Sequence, residues 1–508
     1  MTQYDAIIVG GGINGLVAGA TLARNGQSVC ILEQRDSLGG MATLAQDDGP
    51  ALAHLLYNLS PLALKDIGLD PSALSFATAP LPTVALCPDG NHVVLRGRSA
   101  TQPDGKPHPD AAVAQALLAR LTDYGDLLRS LAEISPPGGG AALSGKSLRQ
   151  LLRLGKFGWR AKRLGKKEIR KFLQVLLSNA YDLILDEMPD GPLAGLLAAD
   201  AIRGAAAGPR SPGTVFNLIY RMGHGGEVYA PKGTMCAVID VIGQAARNAG
   251  CQIETGKSVV RIMLEGDSVM GVELGDGSHL TASTVLVNAG PQLALSLTGP
   301  APFDIEATRR IQNIRTRGTA AKLNLRLAKP LSIPGLSDDL AHARLVYAPS
   351  ADYVEKAFNP AKYGEMSQAP VIEAVQTTAD GMPWLSAIVQ YAPSDLKGGW
   401  TDAARARLRQ ITLDTLSQVM PELSENTIDV QIITPDQIEA VTGAPGGHWH
   451  HTEMSIDQLL TLRPAVGLSR YQLGPKGLFI CGASSHPGGD VMGLAGRNAA
   501  RAVLEQAR

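Results

Sequence analysis

Apolar and polar positions divide the chain into stretches of different period. Residues 6–9 (AIIV) form a short apolar run that meets Gly10, Gly11, Gly12 and Gly15. Residues 16–25 then read as an Ala- and Leu-rich helix stopped by Gly26, and a second apolar run ends at Glu33. The pattern predicts strand, tight turn, helix, strand. Residues 251–290 carry β-rich runs separated by Gly-Asp and Asp-Gly turn signals, the last run leading to Asn288-Ala289-Gly290, which predicts a meander and a strand returning to the first sheet. Residues 478–481 give one more short apolar strand, followed by a glycine-rich turn and a helix from about Leu494.

These pieces predict a Rossmann-like α/β nucleotide domain built from three chain segments, 1–75, 215–295 and 465–508. The intervening segments, 76–214 and 296–464, have another character and predict an inserted α+β substrate domain. Residues 112–132, 146–207 and 401–420 are helical by pattern, whereas 315–327 and 371–391 contain strand-like runs. Residues 88–111, rich in Asp, Gly, Pro and His, and 135–145 (SPPGGGAALSG) read as loops.

At 508 residues the chain exceeds the roughly 250–300 at which one core stops growing, consistent with two units. Its net charge of −1 argues against nucleic acid as a partner. The five cysteines are scattered, with no C-x-x-C pair or metal spacing, and suit a reducing compartment. No secretory signal precedes the first strand and no run approaches a membrane span, so the expectation is a cytoplasmic protein, soluble or peripheral at the membrane. A second glycine fingerprint or a redox-active cysteine pair, as a nicotinamide-dependent reductase would carry, is not found.

The glycine spacing carries specific chemistry. Gly10 permits a sharp turn, Gly12 lets the backbone approach a pyrophosphate and Gly15 lets helix and strand pack closely, with Ile13 and Asn14 at a helix N-terminus that favours anions. Glu33, 18 residues after Gly15 and followed by Gln34, stands where a carboxylate holds an adenosine ribose. Gly39, Gly40 and Met41 would pass close to the same ligand. Arg35 has two readings: a phosphate contact or a solvated surface arginine.

Four stretches together resemble phytoene-desaturase-like flavoproteins: GGGINGL with LEQRDSLGG, AGPRSPGT at 207–214, MSIDQLLTLRP at 454–464, and CGASSHPGGDVMGLAGRNAAR at 481–501. Within them the chain looks most like the branch of bacterial carotenoid ketolases and pyridine nucleotide-disulfide oxidoreductase domain proteins. The resemblance implies non-covalent FAD and an amine-oxidase-like fold. It implies that the Val259 backbone meets the adenine edge, the alternative being an ordinary core strand residue. It also places Gly482, Gly489, Asp490, Met492 and Gly493 around the flavin, where N–H groups near Met492 and Gly493 would stabilise charge on the reduced ring. The chain departs from the family at Lys232-Gly233-Thr234-Met235, where Gly-Gly-Met is frequent, and at Asp490, where glycine is common.

Candidate catalytic side chains are fewer. In residues 316–327 (TRGTAAKLNLRL) Lys322 lies opposite the apolar face of a strand; in amine-oxidase-like flavoproteins a lysine on a comparable strand holds a water beside flavin N5, and the competing reading is a solvated strand lysine. His486 either faces the flavin or packs and hydrogen-bonds. His448 and His450 would share one strand face, but a metal site needs three or four ligands and no further cluster is evident, so none is expected. His451, Glu453 and Asp457 match the family pattern and either line the pocket or brace a loop. Residues 146–171 hold eleven Lys/Arg, one acid and interleaved Leu, Phe157 and Trp159, which reads as an interfacial membrane helix or as a solvated helix pair.

The expected function is an FAD oxidoreductase that takes hydride from a C–H bond of a small or apolar substrate, leaves a C=C or C=N bond, and passes electrons to oxygen or another acceptor. The alternatives are a membrane-docked carotenoid or polyene desaturase or ketolase and, more remotely, a non-catalytic isoprenoid or lipid binder.

Overall fold

The structure is a computed structural model and describes residues 3–46, 48–78, 80–136, 145–223 and 226–506, without the side chains of 78, 145–154, 156, 157 and 161. A seven-stranded sheet gathers the three predicted segments. Gln3–Val9 lies between Val29–Leu32 and His279–Val287, with Gln252–Glu254 beyond the former and Leu478–Ile480 beside the latter, all these pairs parallel. Antiparallel strands Ser268–Leu274 and Val259–Glu265 complete the meander. Helix Ile13–Ala23 covers one face, its Leu16, Val17 and Ala20 packing with Leu286 and with Ala499 and Ala500 of the C-terminal helix Leu494–Gln506. The opposite face is buried by helices Pro291–Thr298 and Ile305–Gln312.

An eight-stranded sheet forms the second unit, ordered Thr427–Ile433, Ala320–Leu327, Met382–Gln390, Ile372–Ala379, Arg344–Tyr347, Thr83–Leu86, Val93–Arg96, Ser99–Thr101. The last two strands fall inside residues 88–111, which the composition predicted as loop. Val93, Val94 and Ala100 are buried there, and their apolar side chains outweigh the surrounding turn residues.

The expected boundaries shift where apolar faces decide the partner. Helix Val215–Met222 packs on Ala111–Ala132 and Pro192–Ile202 in the helical layer of the second unit, because Val215, Phe216, Leu218 and Ile219 bury there. Leu297, Phe303 and Ile311, expected in the second unit, bury against the nucleotide sheet.

The basic segment lies in helix Gly145–Leu177, which is broken at Gly165 (φ 83°, ψ 159°). Trp159, Leu173 and Leu177 are exposed on it, and Arg163 lies over the Trp159 ring at 5.7 Å. Of the expected loop 135–145, residues 137–144 lie outside those described. No helix among the described residues is long and apolar enough to cross a membrane.

Candidate active site

The first strand ends in a turn where Gly10 adopts φ 103°, and the helix starts after Gly12. Glu33 is buried at the end of the second strand. Its carboxylate accepts from the Gly11 N–H at 2.8 Å and from the Arg35 N–H at 3.0 Å, fixing the turn and leaving acceptor capacity toward the cavity it lines. Gly39 donates to Gly11 O at 2.9 Å, and a Cβ on Gly40 would stand 3.4 Å from Gly12 Cα, so two glycine turns face each other at backbone distance. Arg35 is neither solvated nor loose: its guanidinium donates to Gly40 O at 2.6 Å and to Thr43 Oγ1 at 3.1 Å, bracing the second turn.

Gly10, Gly12, Ile13, Asn14, Glu33, Gln34, Arg35, Gly39, Gly40, Met41, Val259, Gly489 and Asp490 all line one cavity. Four expected contacts do not line it. Gly15 and Gly482 are packing positions, where a Cβ would meet Gly10 O at 2.2 Å and Ala289 O at 3.0 Å respectively. Gly493 backs onto Val17 and Ala63, and Met492 is buried against Ala132, Leu494 and Tyr220. From the C-terminal turn the cavity takes Gly489, Asp490 and Val491 instead. Asp490 has φ 80° and Val491 φ 52°, a region that side chains rarely adopt and that glycine takes without strain. An ion pair from Arg203 Nη1 to Asp490 Oδ1 at 3.1 Å holds the strained residue.

His486 belongs elsewhere. It lines a separate small cavity with Leu131, Tyr220 and Met492, its Nε2 lies 3.0 Å from Leu131 O, and burial pushes its pKa down to about 4. It is a packing and hydrogen-bonding histidine. His448–Thr452 is a turn rather than a strand. Trp449 and His451 line the main cavity, whereas Glu453 and Asp457 bind Arg315 and brace the loop.

Lys322 is fully buried, which overturns the solvated-lysine reading. The polar face of strand Ala320–Leu327 is capped by the chain around residues 50–57: Asn324 donates to Pro50 O at 2.7 Å, and Lys322 Nζ lies 2.9 Å from His54 Nδ1. Burial pushes the Lys322 pKa well below the usual lysine range, Glu373 opposing and Arg203 adding to the effect. The lysine does not reach the cavity wall; His54 does. His54 Nε2 lies 3.3 Å from Glu373 Oε1. Burial and Lys322 push the His54 pKa down to about 4, so at neutral pH it is uncharged.

Glu373 anchors this buried cluster. It accepts from Tyr57 Oη at 2.8 Å and from Arg344 at 2.7 Å, with Arg203 at 3.4 Å. Although burial pushes its carboxyl up, the guanidiniums of Arg203 and Arg344 hold it well below the usual range. Asp200 takes Arg221 and Arg344. Sequence reasoning missed His54, Tyr57, Arg203 and Glu373, which stand on three separate segments. Asn288 carried a signal, the Asn-Ala-Gly closing an apolar strand; its Nδ2 donates to Gly10 O and sits within 3 Å of a Cβ built on Gly12 or Gly15.

A family model described as flavin containing amine oxidoreductase matches residues 13–504. The chain belongs to that family. It is 29% identical to pyridine nucleotide-disulfide oxidoreductase domain-containing protein 2 of Rattus norvegicus, over 99% of this chain and 93% of that one. It is 26% identical to hydroxyneurosporene desaturase of Cereibacter sphaeroides, over 98% and 97%. Cyclohexylamine oxidase from Brevibacterium oxydans shares the fold, with a TM-score of 0.59 and 15% identity over the whole of both chains. The protein is therefore an FAD-dependent oxidoreductase of amine-oxidase-like fold, acting on a small molecule and passing electrons to an acceptor. Its residues fit FAD: the opposed glycine turns leave backbone approach open, and Glu33 supplies an acceptor at the far end of one cavity. Trp449 and His451 line the cavity with other ring atoms; Trp449 Nε1 and His451 Nδ1 are buried and have no partner among the described residues.

Proposed function

We propose that the protein dehydrogenates a C–H bond of a small or apolar substrate, leaving C=C or C=N. The observation that carries this reading is the single cavity lined both by the dinucleotide turns and by His54, Tyr57, Arg203, Ile388 and Trp449. When bound, FAD supplies the hydride acceptor. Gly10, Gly12, Glu33, Gly39 and Gly40 would hold its adenosine and phosphates, and the Gly489–Val491 turn would meet its flavin end.

The protein's side chains bind, orient and exclude water. His54, uncharged at neutral pH and within 2.9 Å of Lys322 Nζ, reaches the cavity and can accept the proton that leaves with the hydride, beside Glu373. The acceptor of the two electrons would be oxygen or another oxidant. Anaerobic titration of the FAD-loaded protein with amines, acyl compounds and polyenes tests the reading. Bleaching of the visible flavin band by one class is expected, and a flavin bleached by none of them refutes it.

A second reading, a cytoplasmic enzyme docked on membrane and acting on a polyene, is favoured by the exposed Trp159, Leu173 and Leu177 on the basic helix.

A further inference from the structure

Three features of the cavity bear on the charge of its substrate. The Arg203 guanidinium carbon lies 4.0 Å from the Tyr57 ring centre and 5.2 Å from that of Trp449. Paired aromatic faces are what a site would offer a substrate ammonium, and here the protein's own cation takes both. Of the described residues lining the cavity, only Glu33 and Asp490 carry carboxylates, and both are engaged, by the Gly11 and Arg35 N–H groups and by Arg203. Beside Tyr57 and Trp449 an incoming ammonium would meet the Arg203 guanidinium, and the carboxylate there, Asp490, is already paired with it.

Donors, by contrast, are in surplus. Arg203 spends Nε on Glu373 and Nη1 on Asp490, and its Nη2 has no acceptor among the described residues. Arg203, Arg221 and Arg344 are matched by Asp200, Glu373 and Asp490, so the cluster around Arg203 is balanced. Arg463 is then an added charge: fully buried, it donates only to the backbone carbonyls of His450, Glu453 and Ala483, the last in the cavity wall. Burial pushes its pKa down to about 10, which leaves it charged at neutral pH.

We infer that the substrate is a carboxylic acid whose carboxylate is held by the Arg203 guanidinium. The inference rests on the oxidoreductase reading and narrows its substrate class. A carboxylate accepts from the Nη2 donors, and a charge-assisted bond to a guanidinium is about twice as strong as a neutral one.

Octanoate and octylamine, with equal chains and opposite charge, are the probes, titrated into the FAD-loaded protein while the visible flavin spectrum and melting temperature are read. Octanoate is expected to shift the flavin band saturably and raise the melting temperature, whereas octylamine does neither. Arg203→Gln should weaken octanoate tenfold or more, with partial recovery in Arg203→Lys. Arg203→Lys, which keeps the charge but loses the planar fork, should still weaken it severalfold and decides the matter if Arg203→Gln fails to fold. Saturable octylamine binding with octanoate silent overturns the inference, as does octanoate affinity within twofold of wild type in every variant that folds. A yellow protein that binds neither probe overturns the carboxylate assignment alone. A protein that takes up no FAD overturns the oxidoreductase reading beneath it.

Discussion

Gly12 and Gly15 stand three residues apart in one motif, yet the structure assigns them different work, and alanine at each separates the two. Gly12 has φ −71° and ψ 168°, ordinary extended backbone, so a side chain there is not strained. A Cβ would approach Asn288 Nδ2 at 2.8 Å and nothing else closer than 3.9 Å. The amide can rotate away, losing its bond to Gly10 O, at about 1 kcal/mol. At Gly15 the Cβ would stand 2.2 Å from Gly10 O, a backbone atom, and 2.9 Å from the same amide. The strand and helix must then separate, an overpacking cost of about 1–3 kcal/mol, against roughly 1 kcal/mol gained from alanine's helix propensity. Thermal melts with and without FAD read both effects. FAD at a hundredfold its Kd stabilises wild type by about 2.7 kcal/mol, a rise of several degrees. Gly12→Ala should melt close to wild type without FAD, lose most of the FAD-induced rise, and release flavin on gel filtration; Gly12→Val should retain none. Gly15→Ala should melt lower in both conditions. A Gly12→Ala protein with the full rise and stoichiometric flavin would refute the assignment of that turn to the pyrophosphate.

His54, His451 and His486 are held near pKa 4 by burial, against 6.5 for the free side chain. The unfolded chain takes up these protons below pH 6.5 and the folded one does not, so stability is fully present above pH 6.5 and is lost toward pH 4. The slope is up to about 1.4 kcal/mol per pH unit per histidine; melting temperatures flat across that window at constant ionic strength would contradict the burial. Lys322→Met should keep FAD, since the phosphate-facing turns are remote from it in the chain. Lys322 acts on the cavity only through His54, whose pKa it lowers, so in the variant the pH profile of substrate-driven flavin reduction should move to higher pH; a profile that matches wild type removes the lysine from the chemistry. Replacing Lys156, Arg160, Lys162 and Arg163 with Gln should weaken binding to anionic liposomes by roughly 1 kcal/mol per charge; unchanged, salt-insensitive partitioning would leave the segment a solvated helix.

What could be read from the sequence was what neighbouring residues encode together. The Gly10–Gly15 turn, Glu33 and the Gly39-Gly40 turn are local backbone requirements, and the structure brings them to one cavity. Asp490 was visible as a departure from glycine, and its φ of 80° is one that glycine takes without strain. Lys322 shows where such reading fails. Strict alternation separates the faces of strand Ala320–Leu327, but it does not tell what covers the polar one, and the cover comes from His54, 268 positions away in the chain. His486 failed differently: its place beside the C-terminal glycines suggested chemistry, yet it faces Leu131 while Asp490, four residues on, faces the cavity. Arg203 and Glu373 left no local signal, since an arginine after an Ala-rich helix and a glutamate in a strand are ordinary in isolation. Their meaning lies in mutual burial, because a carboxylate among Arg203, Arg344, Tyr57 and His54 is tolerated only where the whole set is assembled. The cofactor end of this site is written in consecutive residues because one ligand's backbone approach dictates it, whereas the substrate end is written across three segments and becomes legible only once the two sheets meet.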